Sequence, residues 1–412
     1  MAPQTRPRLS IPEPEFRPGD TPDYSNVKIP EAGAVSLPPL DVEPRLLRNH
    51  AFSIIRILRR DGEAVGPWTD LLSEEEMISG LRKMMTLRML DARMIAAQRQ
   101  GKTSFYVGQL GEEAVTIAFQ QALSPGDMNF PTYRNAGLLV AQDYPLETML
   151  NQIFSNEKDP LAGRQLPVLY SAKDYGFFTV SGNLGTQFVQ AVGWAMAAAI
   201  DGSDRIAAGW IGDGSTAEAD FHSAMVFAST YKPPVVLNIV NNQWAISTFQ
   251  GIAKGESGTF AARGLGFGMA SLRVDGNDFL AVHAVAKWAV RRAREGLGPT
   301  LIEHVTYRAG GHSTSDNPEA YRPKAESDAW PLGDPIERLK LHLIKRGVWS
   351  EDRHKQTEAE IRDIVVTAQK AAEKHGTLAT GPSAPRGGIF EGLYEEMPLH
   401  LKRQKDAAEK YL

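Results

Sequence analysis

The 412-residue sequence predicts an α/β fold: a doubly wound, mainly parallel sheet flanked by helices, with an extended N-terminal arm and a helical C-terminal region. Three observations predict it. Two strand-like runs, 206–211 and 235–240, are separated by a helix-length segment from about 217 to 229 that carries Phe221, Met225 and Ala228 on one face. Strand and helix patterns go on alternating over about 165–310, as in a doubly wound sheet. Polar motifs, Gly212-Asp213-Gly214 and Asn241-Asn242, close the two strands, and the carboxyl ends of parallel strands are where such sheets hold ligands.

From the N-terminus, residues 1–50 hold ten of the 26 prolines and little periodicity. They read either as a tail without fixed structure or, given Ile11, Phe16, Ile29 and Leu40, as an arm lying on a partner surface. A main domain is expected over 51–375, with a C-terminal tail over 376–412. Ser73 followed by Glu74-Glu75-Glu76 is an N-cap with an acidic first turn, and Ile78, Leu81, Met85 and Met89 then form an apolar stripe, with Met84 beside it. Further helices are expected from Gly111 to Ala122, Gly185 to Ile200 and Phe279 to Glu295, with strands around Leu272–Val274 and Leu301–Tyr307. Gly264-Leu265-Gly266-Phe267-Gly268 lacks the spacing of a dinucleotide fingerprint and is expected to be a loop. Beyond 334, Ile336, Leu339, Leu343, Ile361, Ile364 and Val365 recur at helical spacing.

Bulk properties exclude several classes. A net charge of −4 and a pI near 6.2 leave no polyanion footprint, so nucleic acid is not an expected partner. With no cysteine, disulfides, thiolate metal sites and cysteine nucleophiles are ruled out. Apolar runs such as Val192–Ile200 are too short to cross a bilayer, and neither a secretory signal nor a transit peptide is evident. A cytoplasmic protein is expected, rather than one of the mitochondrial matrix.

Four constellations carry chemistry. In the first, the Asp213 carboxylate, the Asn242 amide and close-approach glycines suit a hard divalent cation holding a phosphorylated ligand; two unrelated turns are the plainer reading. The second is Ala309-Gly310-Gly311-His312-Ser313-Thr314-Ser315-Asp316, where His312 is either a phosphate ligand or proton donor, or a loop histidine beside a helix cap. The third, Tyr133-Arg134, offers a phenol and a guanidinium fork to the far side of a diphosphate, or is a surface pair. The fourth, Ser181-Gly182-Asn183-Leu184-Gly185-Thr186-Gln187, opens a helix and suits an anion, a monovalent cation or simple capping. Elsewhere His222 is expected to pair with Glu218 one turn away, and Lys287, Arg291, Arg292 and Arg294 to form a solvated helix face.

The first pairing, with 26 residues between Gly214 and Asn241, resembles the thiamine diphosphate motif that begins GDG and ends NN. With Gly101-Lys102-Thr103-Ser104-Phe105-Tyr106, Gly111-Glu112-Glu113-Ala114 and Asn241-Asn242-Gln243-Trp244-Ala245-Ile246-Ser247-Thr248 in order, the chain from about 75 to 375 is similar to α subunits of 2-oxoacid dehydrogenase decarboxylase components. His312-Ser313-Thr314-Ser315-Asp316 and Tyr321-Arg322 look like the branched-chain members, whose substrate is 2-oxoisovalerate and related 2-oxoacids. The resemblance implies a thiamine diphosphate-binding fold, with the diphosphate on Tyr133, Arg134, Gly212, Gly214 and His312. It places Mg²⁺ on Asp213, Asn242 and the Trp244 carbonyl, and K⁺ on Ser181, Thr186 and Gln187. Phe105 and Leu184 would line the substrate pocket, Ser181 and Leu184 would adjoin the cofactor, and His312 would assist acyl transfer to lipoamide.

Two departures stand out: Val240 occupies a position where some relatives carry arginine, and Gly182-Asn183 replaces a serine and a proline in the potassium loop. The resemblance also implies partners. The glutamate that activates the cofactor would come from a β subunit in an α2β2 heterotetramer, and the acyl acceptor would be a lipoylated dihydrolipoyl acyltransferase core. Other readings are a pyruvate or acetoin dehydrogenase α subunit and, in a different class, a non-catalytic phosphometabolite-binding scaffold.

Overall fold

A computed structural model describes residues 9–27, 29–69, 72–254, 258–382 and 386–411. Five parallel strands form the central sheet: β1 (Met128–Phe130), β2 (Ala207–Gly212), β3 (Val235–Asn241), β4 (Ala270–Asp275) and β5 (Thr300–Val305), in the order β1-β2-β3-β5-β4. The longer helices are α1 (Glu74–Arg99), α2 (Glu113–Gln120), α3 (Leu146–Phe154), α4 (Thr186–Ile200), α5 (Ala219–Tyr231), α6 (Phe279–Arg294), α7 (Pro335–Lys345), α8 (Glu351–Glu373) and α9 (Leu399–Ala408).

The two-residue period of the strands sorts side chains onto two cores. Ala207 and Ile211 of β2, with Val235, Leu237 and Ile239 of β3, meet Phe188 and Val192 of α4 and Phe221 and Met225 of α5. Ala208, Trp210, Val236 and Val240 point the other way, onto a larger core that includes Phe119 of α2 and Phe279 of α6. Every residue of β3 is buried, as expected for an inner strand covered on both faces. α1 starts on a full capping box, in which Ser73 Oγ accepts from the Glu76 amide (3.2 Å) and Glu76 accepts from the Ser73 amide (2.7 Å).

Several expectations are corrected. The Gly264 segment is only partly a loop: residues 260–266 are helical and 267–268 form the turn that follows, and since a Cβ at Gly264 would lie 2.1 Å from Ser271 Oγ, only glycine lets the helix sit so close to β4. Glu218 is extended at the N-cap position of α5, without a side-chain capping bond, so it does not face His222 across a helical turn; the His222 ring instead meets Phe221 edge-on. The basic face of α6 is only partly solvated. Arg292 is buried and donates to the Leu40 carbonyl, Trp288 Nε1 donates to Pro38 (3.0 Å), and Arg294 pairs with Asp127 at 2.6 Å. The first two contacts hold the N-terminal arm at Pro38 and Leu40 to its own chain. Further along, Tyr24 stacks edge-on with Trp330 and donates to Glu326 (3.2 Å).

The carboxyl end of β4 is tied down by two buried acids. Asp278 accepts from the amides of Ile57 (2.8 Å), Leu58 (2.6 Å) and Ala281 (3.1 Å), and with Asp275 it pairs with Arg338 of α7. Asp278→Ala strands three amides and half of an ion pair, and is expected to destabilise the protein by about 3–5 kcal/mol, read as a lower melting temperature.

Candidate active site

Four strand ends deliver the site. β1 leads to Tyr133-Arg134, β2 to Asp213, β3 to Asn242, and β5 to Arg308 and His312. Tyr133, Arg134, Leu184, Gly212, Asp213, Gly214, Asn242, Trp244 and His312 all line one cavity of about 270 Å³.

Asp213 sits just past β2, where its amide donates to the Val240 carbonyl (3.2 Å). Its side chain is buried, and Oδ2 has no hydrogen-bond partner. Burial lifts the carboxyl to about 7. An acceptor left bare in this way lacks a donor or a cation. The two flanking glycines differ in purpose. A Cβ at Gly214 would stand 2.4 Å from that of Ala245, so glycine lets the Asp213 turn rest on the Trp244–Phe249 hairpin; a Cβ at Gly212 would meet nothing within 4 Å.

Asn242 is held rather than bonded away. Its Nδ2 donates to the buried Glu112 (2.8 Å), which turns Oδ1 toward the Trp244 amide at 3.4 Å. Glu112 also stands 3.8 Å from Arg134, and its carboxyl is raised by burial, with Arg134 opposing the shift. The Trp244 carbonyl already accepts from Arg308 Nη1 (2.9 Å), so one of its two lone pairs remains. Among the described residues, no group of three His, Cys, Asp or Glu side chains could form a metal cage. The donor set is therefore one carboxylate, one amide and one carbonyl, which suits an ion that shares its remaining ligands with a phosphate.

His312 faces two buried guanidiniums. Arg134 Nη2 lies 3.3 Å and Arg308 Nη1 3.4 Å from Nδ1, and Arg134 also donates to the His312 carbonyl (2.8 Å). Guanidinium groups only donate, so Nδ1 is an acceptor and the ring proton is on Nε2. Burial, then Arg134 and Arg308, push the imidazole down to about 4. Asp316 braces the loop by accepting from the His312 amide (2.6 Å) and from Tyr321 (2.7 Å), whose hydroxyl accepts from Arg308 Nη2 (2.6 Å).

Some expected residues lie elsewhere. Phe105 does not line the cavity; Thr103 Oγ1 donates to its carbonyl (3.3 Å) and its ring packs on the larger core. Ser181, Thr186 and Gln187 lie beside the cavity rather than in it, in a loop closed on itself. Thr186 Oγ1 donates to the Asn183 carbonyl (2.7 Å), Gln187 Nε2 donates to the Ser181 carbonyl (3.0 Å), and Gln187 Oε1 is buried without a partner.

Two functional side chains escaped the sequence reading. Glu112 lies within Gly111-Glu112-Glu113-Ala114, where nothing in the sequence alone marks it for the site. Arg308 closes the last strand run and stands four residues before His312, a spacing that could have marked it. With Val240 in the cavity wall, Arg308 supplies the second buried guanidinium.

Comparison with known proteins agrees with this geometry. A model of the dehydrogenase E1 component family matches residues 81–380, and one described as the N-terminal part of the 2-oxoisovalerate dehydrogenase E1 alpha subunit matches 5–45. The chain is 57% identical, over 97% of both chains, to a Pseudomonas aeruginosa protein named 2-oxoisovalerate dehydrogenase subunit alpha. It is 40% identical to the mouse mitochondrial protein of that name (87% of this chain, 80% of that one) and 37% identical to the human one (93% and 85%). A parallel sheet whose strand ends gather one acid, one amide and two guanidiniums, matched over most of its length, places this chain in the dehydrogenase E1 component family, the thiamine diphosphate-dependent decarboxylases of 2-oxoacid dehydrogenase complexes.

Proposed function

We propose that the chain is the α subunit of a branched-chain 2-oxoacid dehydrogenase decarboxylase and that its cavity holds the diphosphate end of thiamine diphosphate through Mg²⁺. The observation that carries this reading is the bare, buried Oδ2 of Asp213 across a cavity from the Arg134–His312–Arg308 cluster. A carboxylate lacking a cation, and two guanidiniums whose nearest carboxylates, Glu112 and Asp316, stand no closer than 3.8 and 4.0 Å, are both satisfied by one metal diphosphate.

Asp213, Asn242 Oδ1 and the free lone pair of the Trp244 carbonyl would hold the metal. Tyr133, Arg134 and the Nε2–H of His312 would hold the phosphates, and Gly212 would admit them at close range. When bound, thiamine diphosphate supplies the nucleophilic thiazolium carbon that decarboxylates a 2-oxoacid. This chain's own part is to bind and orient that group and to keep a neutral His312, with its proton on Nε2, beside it for acyl transfer to lipoamide. Leu184 remains as a wall of the substrate pocket. Gln187 Oε1, buried and unpartnered, is the donor that favours a potassium ion in the 181–187 loop.

The relatives are named as alpha subunits, which supports a β subunit as partner. We assign to it the activating carboxylate, an α2β2 assembly and docking to a lipoylated dihydrolipoyl acyltransferase core. No helix among the described residues is long and apolar enough to cross a membrane.

The test is reconstitution with the β subunit and an assay of decarboxylation with an artificial electron acceptor. 2-Oxoisovalerate is expected to outpace pyruvate, and the isolated chain to be inactive; full activity of the chain alone would end the split-site reading. Because burial holds Asp213 near 7, a cation must displace a proton below that pH, so Mg²⁺ affinity is expected to fall about tenfold per pH unit below 7 and level off above it. Calorimetric titration from pH 5.5 to 8 reads this slope. Asp213→Ala is expected to remove both the slope and Mg²⁺-dependent cofactor binding, whereas binding that persisted would take Asp213 out of the metal site.

A further inference from the structure

Asp91 lies midway along α1, between Leu87, Leu90 and Met94, which are all fully buried; it is itself 3% exposed and forms no ion pair among the described residues. A lone buried carboxylate at a core position of a helix is costly unless its oxygens are hydrogen-bonded. Both are. Oδ1 accepts from the Tyr106 hydroxyl (2.7 Å) and Oδ2 from the Gln109 amide (2.6 Å). Between these two, a Cβ at Gly108 would stand 3.2 Å from Oδ2, so the 106–109 backbone is drawn down onto the acid.

That segment then reaches the site from both sides. The Gly108 carbonyl accepts from Arg134 Nη1. The Gln109 side-chain amide takes the orientation in which its nitrogen donates to the Arg134 carbonyl (2.8 Å) and its oxygen accepts from the amides of Ala136 and Gly137 (3.2 Å each). On the other side, Tyr106 pairs with Thr314 through two bonds: its amide donates to Thr314 Oγ1 (3.1 Å), and its carbonyl accepts from the Thr314 amide (3.0 Å). One step on, the Leu110 carbonyl accepts from the Ala309 amide (3.0 Å). Arg134 and the His312 loop come from distant strand ends, yet both are registered against the same five residues.

We infer that Asp91 is a positioning residue that fixes Arg134 and His312 relative to one another through the 106–110 segment. It contacts neither of them. This rests on the reading that Arg134 and His312 face the diphosphate. Burial raises the Asp91 carboxyl to about 7, against the pull of its two donors. Asparagine at this position keeps the volume but can accept through only one atom, so one of the two tethers is lost.

The experiment measures Mg²⁺-dependent thiamine diphosphate affinity in the assembled complex for Asp91→Asn, Arg134→Ala and the double variant, with melting temperatures alongside. Losing one hydrogen bond to a charged group predicts about tenfold weaker binding for Asp91→Asn. If Asp91 acts by setting Arg134 against His312, the loss in the double variant should be clearly smaller than the product of the two single losses. Losses that multiply in the double variant overturn the inference, and so does an Asp91→Asn variant with a lower melting temperature but unchanged affinity. An unchanged affinity for Arg134→Ala would overturn the reading of the cavity itself, and the inference with it. Should Asp91→Asn fail to assemble, Tyr106→Phe removes only one donor from the acid. It is expected to weaken binding severalfold, and unchanged binding overturns the inference.

Discussion

Two guanidiniums, Arg134 and Arg308, are buried on either side of a single imidazole nitrogen, and a carboxylate with a bare oxygen lies across the cavity from them. Like charges crowded out of water repel one another strongly, and the fold tolerates them by turning backbone carbonyls on them, with Glu112 and Asp316 at 3.8 and 4.0 Å: Gly108, Trp244, Ile246 and His312 each accept from one of the two arginines. Much of the irregular chain around the sheet makes sense as a response to this constraint. The Trp244–Phe249 hairpin brings two of those carbonyls into place, and Gly214 is small so that the hairpin can lie against Asp213.

The same constraint accounts for the state of His312. Between two groups that can only donate, its Nδ1 must accept, and the proton is left on Nε2. A histidine at this position is thus kept neutral and aimed by its neighbours rather than titrating freely near its ordinary value. Arg308 has a second role. It ties the last strand end to the hairpin and, through Tyr321 and Asp316, to the backbone amide of His312. The loop that carries the histidine and the hairpin that carries the Trp244 carbonyl are therefore one mechanical unit.

What the sequence made legible was the frame. Strand ends marked by Gly212-Asp213-Gly214 and Asn241-Asn242 were readable because parallel strands present residues at fixed ends, and the helical stripes of α1, α5 and α7 were readable from periodicity. Contacts between segments distant in sequence were not. Arg308 looked like the tail of a strand and Glu112 like part of a helix start, since their partners, Trp244 and Asn242, lie 64 and 130 positions away. Asp91 was invisible for the same reason, being a polar break in an apolar stripe until Tyr106 and Gln109 fold onto it. The arm left two readings open, and neither foresaw that Arg292, Trp288 and Glu326 hold it against its own chain. Phe105 was placed by motif alone, and its ring packs against the larger core instead.

The central claim is that the cavity is electrostatically incomplete and that a metal diphosphate completes it. The most direct measurement compares melting-temperature shifts of the protein with Mg²⁺ and inorganic diphosphate, with Mg²⁺ and thiamine diphosphate, and with Mg²⁺ and unphosphorylated thiamine. Stabilisation by the first two, and none by thiamine, is the predicted result. A shift with thiamine equal to that with its diphosphate, or no response to Mg²⁺ and inorganic diphosphate, would contradict the account.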